Sequence, residues 1–286
     1  MKQNGNLTVI TPIQKVADYW NKQPCNIHHS PKEFGSKAYF DEVEQRKYFV
    51  EPHIPSFAEF SRRKGKKVLE IGCGIGTDTI NFARAGAKVT AVDLSEKSLE
   101  IARHRAKIFG FENKITFHKA NAEELTKYLP LEKYDLIYSF GVIHHSPHPE
   151  KIIQQLSQYC HKDTVVKIMV YYRLSWKVFW ILIKYGKGAF WKLNKIIADH
   201  SEAQFGSPVT YTYTKKNAHA LLKGFKITNI FVDHIFPYSI PEYLRHEYKK
   251  VWYFRYLPQP IFRFLERRLG WHLCITARPI YSGQNT

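Results

Sequence analysis

One run of residues constrains this chain more than any other: Val68-Leu69-Glu70-Ile71-Gly72-Cys73-Gly74-Ile75-Gly76-Thr77. It opens as a strand with the near-continuous apolar character of burial on both faces. It then passes through three glycines and enters a helix pattern. Glycines at such a turn adopt backbone angles that a side chain forbids, and they let the main chain approach a ligand closely. The spacing is G-x-G-x-G with an acid two positions before the first glycine. A dinucleotide fingerprint, G-x-G-x-x-G, instead rests a pyrophosphate on the helix N-terminus.

The strand–turn–helix unit repeats through the middle of the chain. Candidate strands are Lys67–Ile71, Lys88–Asp93, Ile115–His118, Tyr134–Phe140 and Thr164–Tyr171, with helix patterns at about Thr77–Ala85, Glu96–Phe109, Ala122–Leu129 and Pro149–His161. Ser95 suits an N-cap and Pro149 a first helical residue. Phe225–Val232 and Leu273–Ala277 complete the set at the far edge. This alternation predicts an α/β fold: a seven-stranded, mostly parallel, doubly wound (Rossmann-like) sheet. Residues 1–65, with helix-like stretches at Ile13–Trp20 and Tyr39–Phe49, are expected to form an N-terminal helical segment outside the sheet. Residues 66–286 form the main domain, with helical insertions at about 173–224 and 234–270, before the sixth and seventh strands. Ligands of open α/β sheets sit beyond the carboxyl ends of the strands. The first insertion begins at such an end, so it is expected to help wall a substrate pocket.

Val89–Asp93 ends the second strand on a carboxylate about 20 residues beyond the glycines, where an acid accepts both hydroxyls of an adenosine ribose. Phe117–Glu123 follows the third strand and Tyr138–His145 ends the fourth. With these motifs in order, the stretch from Lys66 to Tyr171 resembles a class I S-adenosylmethionine-dependent methyltransferase. The resemblance implies S-adenosylmethionine as cofactor. It places Glu70, Gly72, Gly74 and Gly76 around the methionyl part, Asp93 with Leu94 at the ribose, Asn121 and Ala122 at the adenine edge, and the segment from Ser139 to His144 under the sulfonium. The family commonly has Asp at the adenine position. Asn121 departs from that, although its carbonyl still accepts from an adenine amino group.

Methyl transfer is a displacement at carbon, accelerated by positioning and by an aromatic pocket that suits a dispersing cation. A base is needed only for an acceptor protonated at the working pH. His144 and His145, just after the fourth strand, and Tyr171, at the end of the fifth, are the catalytic candidates; covering the cofactor is the alternative role for the His pair. The resemblance implies that residues 1–65 form a helical lid over the cofactor; Tyr19 and Tyr39 there, and Tyr172 and Arg173 at the start of the first insertion, are the candidate substrate contacts. No metal is expected: adjacent His residues rarely reach one ion together, and Cys25, Cys73, Cys160 and Cys274 show no ligand spacing.

Lys+Arg number 43 against 25 Asp+Glu, a formal charge of +18, and aromatics reach 15%. An excess of that size fits an anionic partner or a basic proteome. The insertions concentrate it, in Ser175–Tyr185, Phe190–Lys192, Lys249–Tyr256 and Ile261–Leu269, the last with Ile261, Phe264, Leu265 and Leu269 on one helical face. Such segments fit a cap with an aromatic core, a cavity for a bulky or acidic acceptor, or a peripheral membrane contact. The turn after the fourth strand lacks the Asn/Asp-Pro-Pro-Tyr/Phe motif of base amino methylation, which argues against nucleic acid. The expected function is therefore methyl transfer to an O or N atom of a small, hydrophobic or acidic acceptor. RNA methylation and a non-catalytic, cofactor-binding regulatory or membrane-associated role are the alternatives. Without a signal-like start or a run of about 20 apolar residues, the chain is expected to be cytoplasmic. The sequence leaves the oligomeric state open.

Overall fold

The alternation of strand and helix patterns builds a sheet wound on both faces. A computed structural model describes residues 11–188, 190–201 and 207–281. In chain order the elements are α1 (Pro12–Lys22), α2 (Lys37–Val50), α3 (Ile54–Ala58), β1 (Lys67–Ile71), α4 (Thr77–Arg84), β2 (Lys88–Asp93), α5 (Glu96–Phe109), β3 (Ile115–Lys119), β4 (Tyr134–Phe140), α6 (Pro149–Ser157), β5 (Cys160–Tyr171), α7 (Trp176–Tyr185), α8 (Leu193–His200), α9 (Lys215–Leu221), β6 (Phe225–Asp233), α10 (Ile240–Leu244), α11 (Trp252–Arg255), α12 (Gln259–Leu269) and β7 (His272–Pro279). The strand order is β3-β2-β1-β4-β5-β7-β6. β7 runs antiparallel to both its neighbours, and every other pairing is parallel. The expected sheet and both insertions are present; residues 1–10 of the N-terminal segment lie outside the described residues.

The two-residue period of a strand sends alternate side chains to opposite faces. Leu69, Ile71 and Ile137 pack with Ile152 and Leu156 of α6, whereas Val68, Leu136 and Tyr138 pack with Ile80 of α4 and Leu99 of α5. Helix ends follow local chemistry. Ser95 Oγ accepts the Ser98 N–H at 3.1 Å, and Gly110, at φ 70°, closes α5 in the left-handed region. The crossover from β1 to β4 leaves a crevice beyond the strand ends, the usual ligand position in such sheets.

Two expectations are corrected, and the face that α12 buries is resolved. Ala122–Leu129 is a kinked 3₁₀ segment rather than an α-helix, with Glu124 at φ −137°, because Asn121 and Glu123 turn their side chains into capping bonds. The helix from Pro149 stops at Ser157, since β5 already starts at Cys160 and pairs there with Tyr134. In α12 the buried residues are Phe262 and Glu266, while Ile261, Phe264 and Leu269 are exposed. The Glu266 carboxylate turns inward to accept from Arg263 Nη1 at 2.5 Å and the Ile235 N–H at 3.4 Å.

Candidate active site

Beyond the carboxyl ends of β1, β2 and β4 lies a cavity of about 1150 Å³. One end is the glycine turn. Gly72 N–H and Cys73 N–H both donate to the Val92 carbonyl, at 2.7 and 3.0 Å, so the turn is fastened across the top of β2. Gly72, at φ 76°, is a close approach: a Cβ there would stand 2.2 Å from Val142 Cγ2. Gly74, at φ 52°, faces open space in the cavity wall.

The Asp93 carboxylate organises this end. Its Oδ2 accepts the Gly74 N–H and its Oδ1 the Ser95 N–H, both at 2.8 Å. Burial raises its pKa above the usual carboxylate value, and the bonds from Ser95, Gly74 and Leu94 hold part of that rise back. Each oxygen keeps acceptor capacity for a hydroxyl. Asn121 Oδ1 accepts the Glu123 N–H at 3.0 Å and retains one acceptor position toward the cavity it lines with Ala122 and Leu94. Open space at Gly74, a diol acceptor at Asp93 and an amide at Asn121 fit the methionyl, ribose and adenine parts of S-adenosylmethionine.

Three of the expected cofactor residues support this cradle from behind and do not line the cavity. Ser139 Oγ donates to the Ile71 carbonyl at 3.1 Å, and Gly76 packs against Ala102 of α5. Glu70 is buried, accepts from Thr79 Oγ1 at 2.6 Å, and is pushed up to about 8 by burial and by neighbouring Asp78. Asp78 is itself a hub, accepting from Lys47 Nζ, Tyr48 and Tyr138 at 2.7–3.0 Å.

The His pair divides. A 3₁₀ turn over Ile143–His145 points the two rings differently. His145 lines the cavity, with Nδ1 2.9 Å from the Val209 carbonyl, which places a proton on Nδ1. His144 is sealed at 0% exposure; neither ring nitrogen has a partner among the described residues, and burial drives its pKa well below the usual value. Of the two expected candidates, the structure therefore brings His145 to the cavity and leaves His144 outside it. Tyr171 lines the cavity, its ring 4.0 Å from that of Trp271.

The four expected substrate contacts do not line the cavity. Tyr39 is buried and donates to the Ile27 carbonyl; Tyr19 packs edge-on against Trp20, which takes the cavity position instead. Tyr172 bridges to Tyr213, and Arg173 Nε donates to Thr212 at 3.2 Å. The walls come from Ile13, Val16 and Trp20 of α1, from Trp176 and Trp180 of α7, and from Tyr243 and Tyr253 of the second insertion. Arg46 of α2 donates to the Tyr243 carbonyl at 2.5 Å, with its guanidinium 4.1 Å over the Tyr243 ring, so the N-terminal segment and that insertion meet at the cavity.

Sequence reasoning missed a polar group in the same cavity. Glu51, His234 and His272 each offer a ligand atom within 4.8 Å of the others, and His53 Nε2 stands 3.0 Å from His272 Nδ1. Their separation along the chain left no spacing signal; the pairing of Asp233 with His272 brings the two histidines together, and the end of α2 adds Glu51.

Known proteins agree with this geometry. The profile of the methyltransferase domain family matches residues 62–204. The ubiquinone biosynthesis O-methyltransferase of Aromatoleum aromaticum is 38% identical over 94 residues, covering 33% of this chain and 39% of that one. Its counterpart from Actinobacillus pleuropneumoniae serotype 5b is 35% identical over 105 residues, covering 36% and 44%. The match thus spans less than half the length of these relatives. The structure of magnesium protoporphyrin IX methyltransferase from Synechocystis PCC 6803 with bound SAH superposes over 94% of this chain and 100% of its own, with a TM-score of 0.58 at 16% identity. The [4+2]-cyclase SpnF covers 95% and 97%, with a TM-score of 0.59 at 15% identity. Such identities speak for the fold alone. The profile match over half of the chain, on this strand order and this glycine cradle, makes the chain a member of the methyltransferase domain family, a class I S-adenosylmethionine-dependent methyltransferase.

Proposed function

We propose that this protein transfers the methyl group of S-adenosylmethionine to an oxygen atom of a small acceptor with an apolar body, enclosed in the cavity beside the glycine turn. The observation that carries this reading is the size and continuity of the cavity. About 1150 Å³ exceeds the roughly 300–1,000 Å³ of a single-ligand pocket. It runs from Gly74 and Asp93 to a chamber walled by Tyr171, Trp176, Trp180 and Tyr253. That is room for a cofactor and an aromatic-contacting acceptor side by side.

When bound, the cofactor supplies an electrophilic methyl group on a sulfonium. Gly72 and Gly74 would let the backbone lie against its methionyl part, Asp93 would hold the ribose hydroxyls, and Asn121 with Ala122 would meet the adenine. Phe140, Gly141 and Val142 line the same cavity at the end of β4. His145 Nε2 takes the acceptor proton while the Val209 carbonyl steadies the imidazolium through Nδ1–H. The aromatic walls would exclude water and suit a cationic ligand. The curated relatives are named as O-methyltransferases, which supports oxygen over nitrogen. Exposed Trp252, Tyr256, Ile261 and Phe264 on the second insertion, beside Arg255, Arg267 and Arg268, support contact with an anionic membrane surface from which an apolar acceptor would be drawn.

Incubation of the protein with methyl-tritiated S-adenosylmethionine and fractionated cell extract tests the reading. Label is expected in an organic-extractable small molecule. Label in RNA, or in no fraction while the cofactor still binds, would overturn it.

A further inference from the structure

The cavity holds a second set of polar side chains that methyl transfer as described does not use. Glu51 caps the C-terminal end of α2, His234 follows the last residue of β6, and His272 opens β7. Because β7 runs antiparallel, its first residue lands beside Tyr171, at the carboxyl edge of the parallel strands. The three side chains all reach the cavity; His234 and His272 are 7% and 4% exposed.

Their geometry suits a metal ion. Zinc bonds of about 2.0–2.1 Å give a tetrahedral site ligand-to-ligand edges of about 3.3 Å. His272 Nε2 and Glu51 Oε1 are 3.5 Å apart, so one edge is nearly set. All three ligand atoms fall within 4.8 Å of one another, and side-chain rotation closes the remainder. His272 Nδ1 meets His53 Nε2 at 3.0 Å, the kind of outer partner that fixes the orientation and tautomer of a ligating imidazole. His53 Nδ1 is buried and without a partner among the described residues.

Both imidazole donors are buried where the strand ends meet the cavity. Two ammonium groups that face the cluster are engaged with other groups: Lys47 lies 2.7 Å from Asp78, and Lys177 stands 4.5 Å over the Trp271 ring. His234 adopts φ 71°, held there by bonds from Trp271 N–H to its carbonyl and from its own N–H to Asp233. A non-glycine residue fixed in the left-handed region is a feature of sites where a side chain must be aimed.

We propose that Glu51, His234 and His272 form a site for one zinc-type divalent cation, with His53 as the residue that positions His272. Two imidazoles and one carboxylate suit Zn²⁺, Co²⁺ or Fe²⁺ and not the all-oxygen preference of Mg²⁺ or Ca²⁺. Three protein ligands leave coordination positions open. Those positions face the chamber, where the Phe140 ring lies 5.4 Å from that of His272. An acceptor oxygen bound there would stand beside the methyl-transfer position at the end of β4. The acceptor role rests on the methyl-transfer reading; the cation site does not.

The test uses the full chain, stripped with a chelator and dialysed against Co²⁺ or Zn²⁺ alone. One equivalent of cobalt with visible d–d bands, displaced by zinc, is expected. His272→Ala and Glu51→Gln should lose that equivalent. His53→Ala should keep it with about 10–100-fold weaker affinity. Retention of the S-adenosylmethionine-induced rise in melting temperature shows which variants are folded. Should His272→Ala fail to fold, the Glu51→Gln variant, at a partly exposed position, carries the comparison. Cofactor binding without a stoichiometric cation, or cation binding unchanged in the variants, overturns the site and leaves methyl transfer standing. Cation binding without cofactor binding overturns methyl transfer and leaves the site standing.

Discussion

Replacing two glycines of one turn separates the stability of the fold from the shape of the cofactor cradle. Gly72 and Gly74 both sit in the left-handed region, at φ 76° and 52°, where any other residue pays about 1–2 kcal/mol. Their surroundings differ. The Cβ of Gly72→Ala would lie 2.2, 2.6 and 2.8 Å from three atoms of Val142, so the whole side chain, with its backbone, must yield. Overpacking of that kind adds about 1–3 kcal/mol, for a total of about 2–5 kcal/mol. The Cβ of Gly74→Ala meets no atom within 4 Å and enters the cavity. At about 2–4 °C per kcal/mol for a chain of this order of size, Gly74→Ala should melt a few degrees below wild type and Gly72→Ala roughly 4–20 °C below. Gly74→Ala should nonetheless lose most of its affinity for S-adenosylmethionine. Scanning fluorimetry measures the first quantity and calorimetric titration the second. Wild-type affinity in Gly74→Ala would refute the placement of the ligand against this glycine. Equal stability of the two variants would refute the Val142 contact.

Other consequences are equally direct. Glu70 is held neutral up to about pH 8 against an ordinary value of 4.5, so the stability it confers is complete below about 4.5 and drains away as the pH rises through about 8. Glu70→Gln should flatten that alkaline loss, of the order of a few kcal/mol, in melting curves from pH 5 to 9; unchanged curves would show that the carboxyl is not held neutral. His145→Gln should lower kcat about 10²–10⁴-fold with cofactor affinity intact. His144→Phe should leave kcat near wild type without loss of melting temperature, since it removes two unpartnered buried nitrogens; the reverse pattern would return the base to His144. Co-sedimentation with anionic vesicles should weaken with salt and in a Trp252→Ala, Phe264→Ala double variant; equal binding in the variant would place the contact elsewhere.

What was legible in the sequence is what local rules decide. The glycine turn, the carboxylate ending β2 and the Ser95 cap each announce themselves within a few residues, and strand burial on both faces makes β1 and β4 near-continuous apolar runs. Side-chain direction within a turn is not so encoded. Nothing in the adjacency of His144 and His145 says that one is sealed against Tyr171 while the other meets the cavity. Apolar spacing along α12 likewise does not show that Glu266 turns inward to serve the Ile235 N–H. Tyr39 and Arg173 give side-chain donors to the Ile27 carbonyl and to Thr212, and Tyr172 is held through its backbone N–H by the Trp271 carbonyl, none of which spacing could show. The Glu51, His234 and His272 cluster comes from three separate segments, joined by the antiparallel return of β7 and the end of α2.

The most direct test of the central claim is calorimetric titration of the purified chain with S-adenosylmethionine, beside Asp93→Ala. The Asp93 carboxylate is read as the acceptor for two ribose hydroxyls, and hydrogen bonds to a charged group are worth about 1.5–3 kcal/mol each. Wild type should bind one equivalent, and Asp93→Ala should bind at least about a hundredfold more weakly. No binding by wild type, or equal binding by the variant, would contradict the assignment of this cavity as the cofactor site.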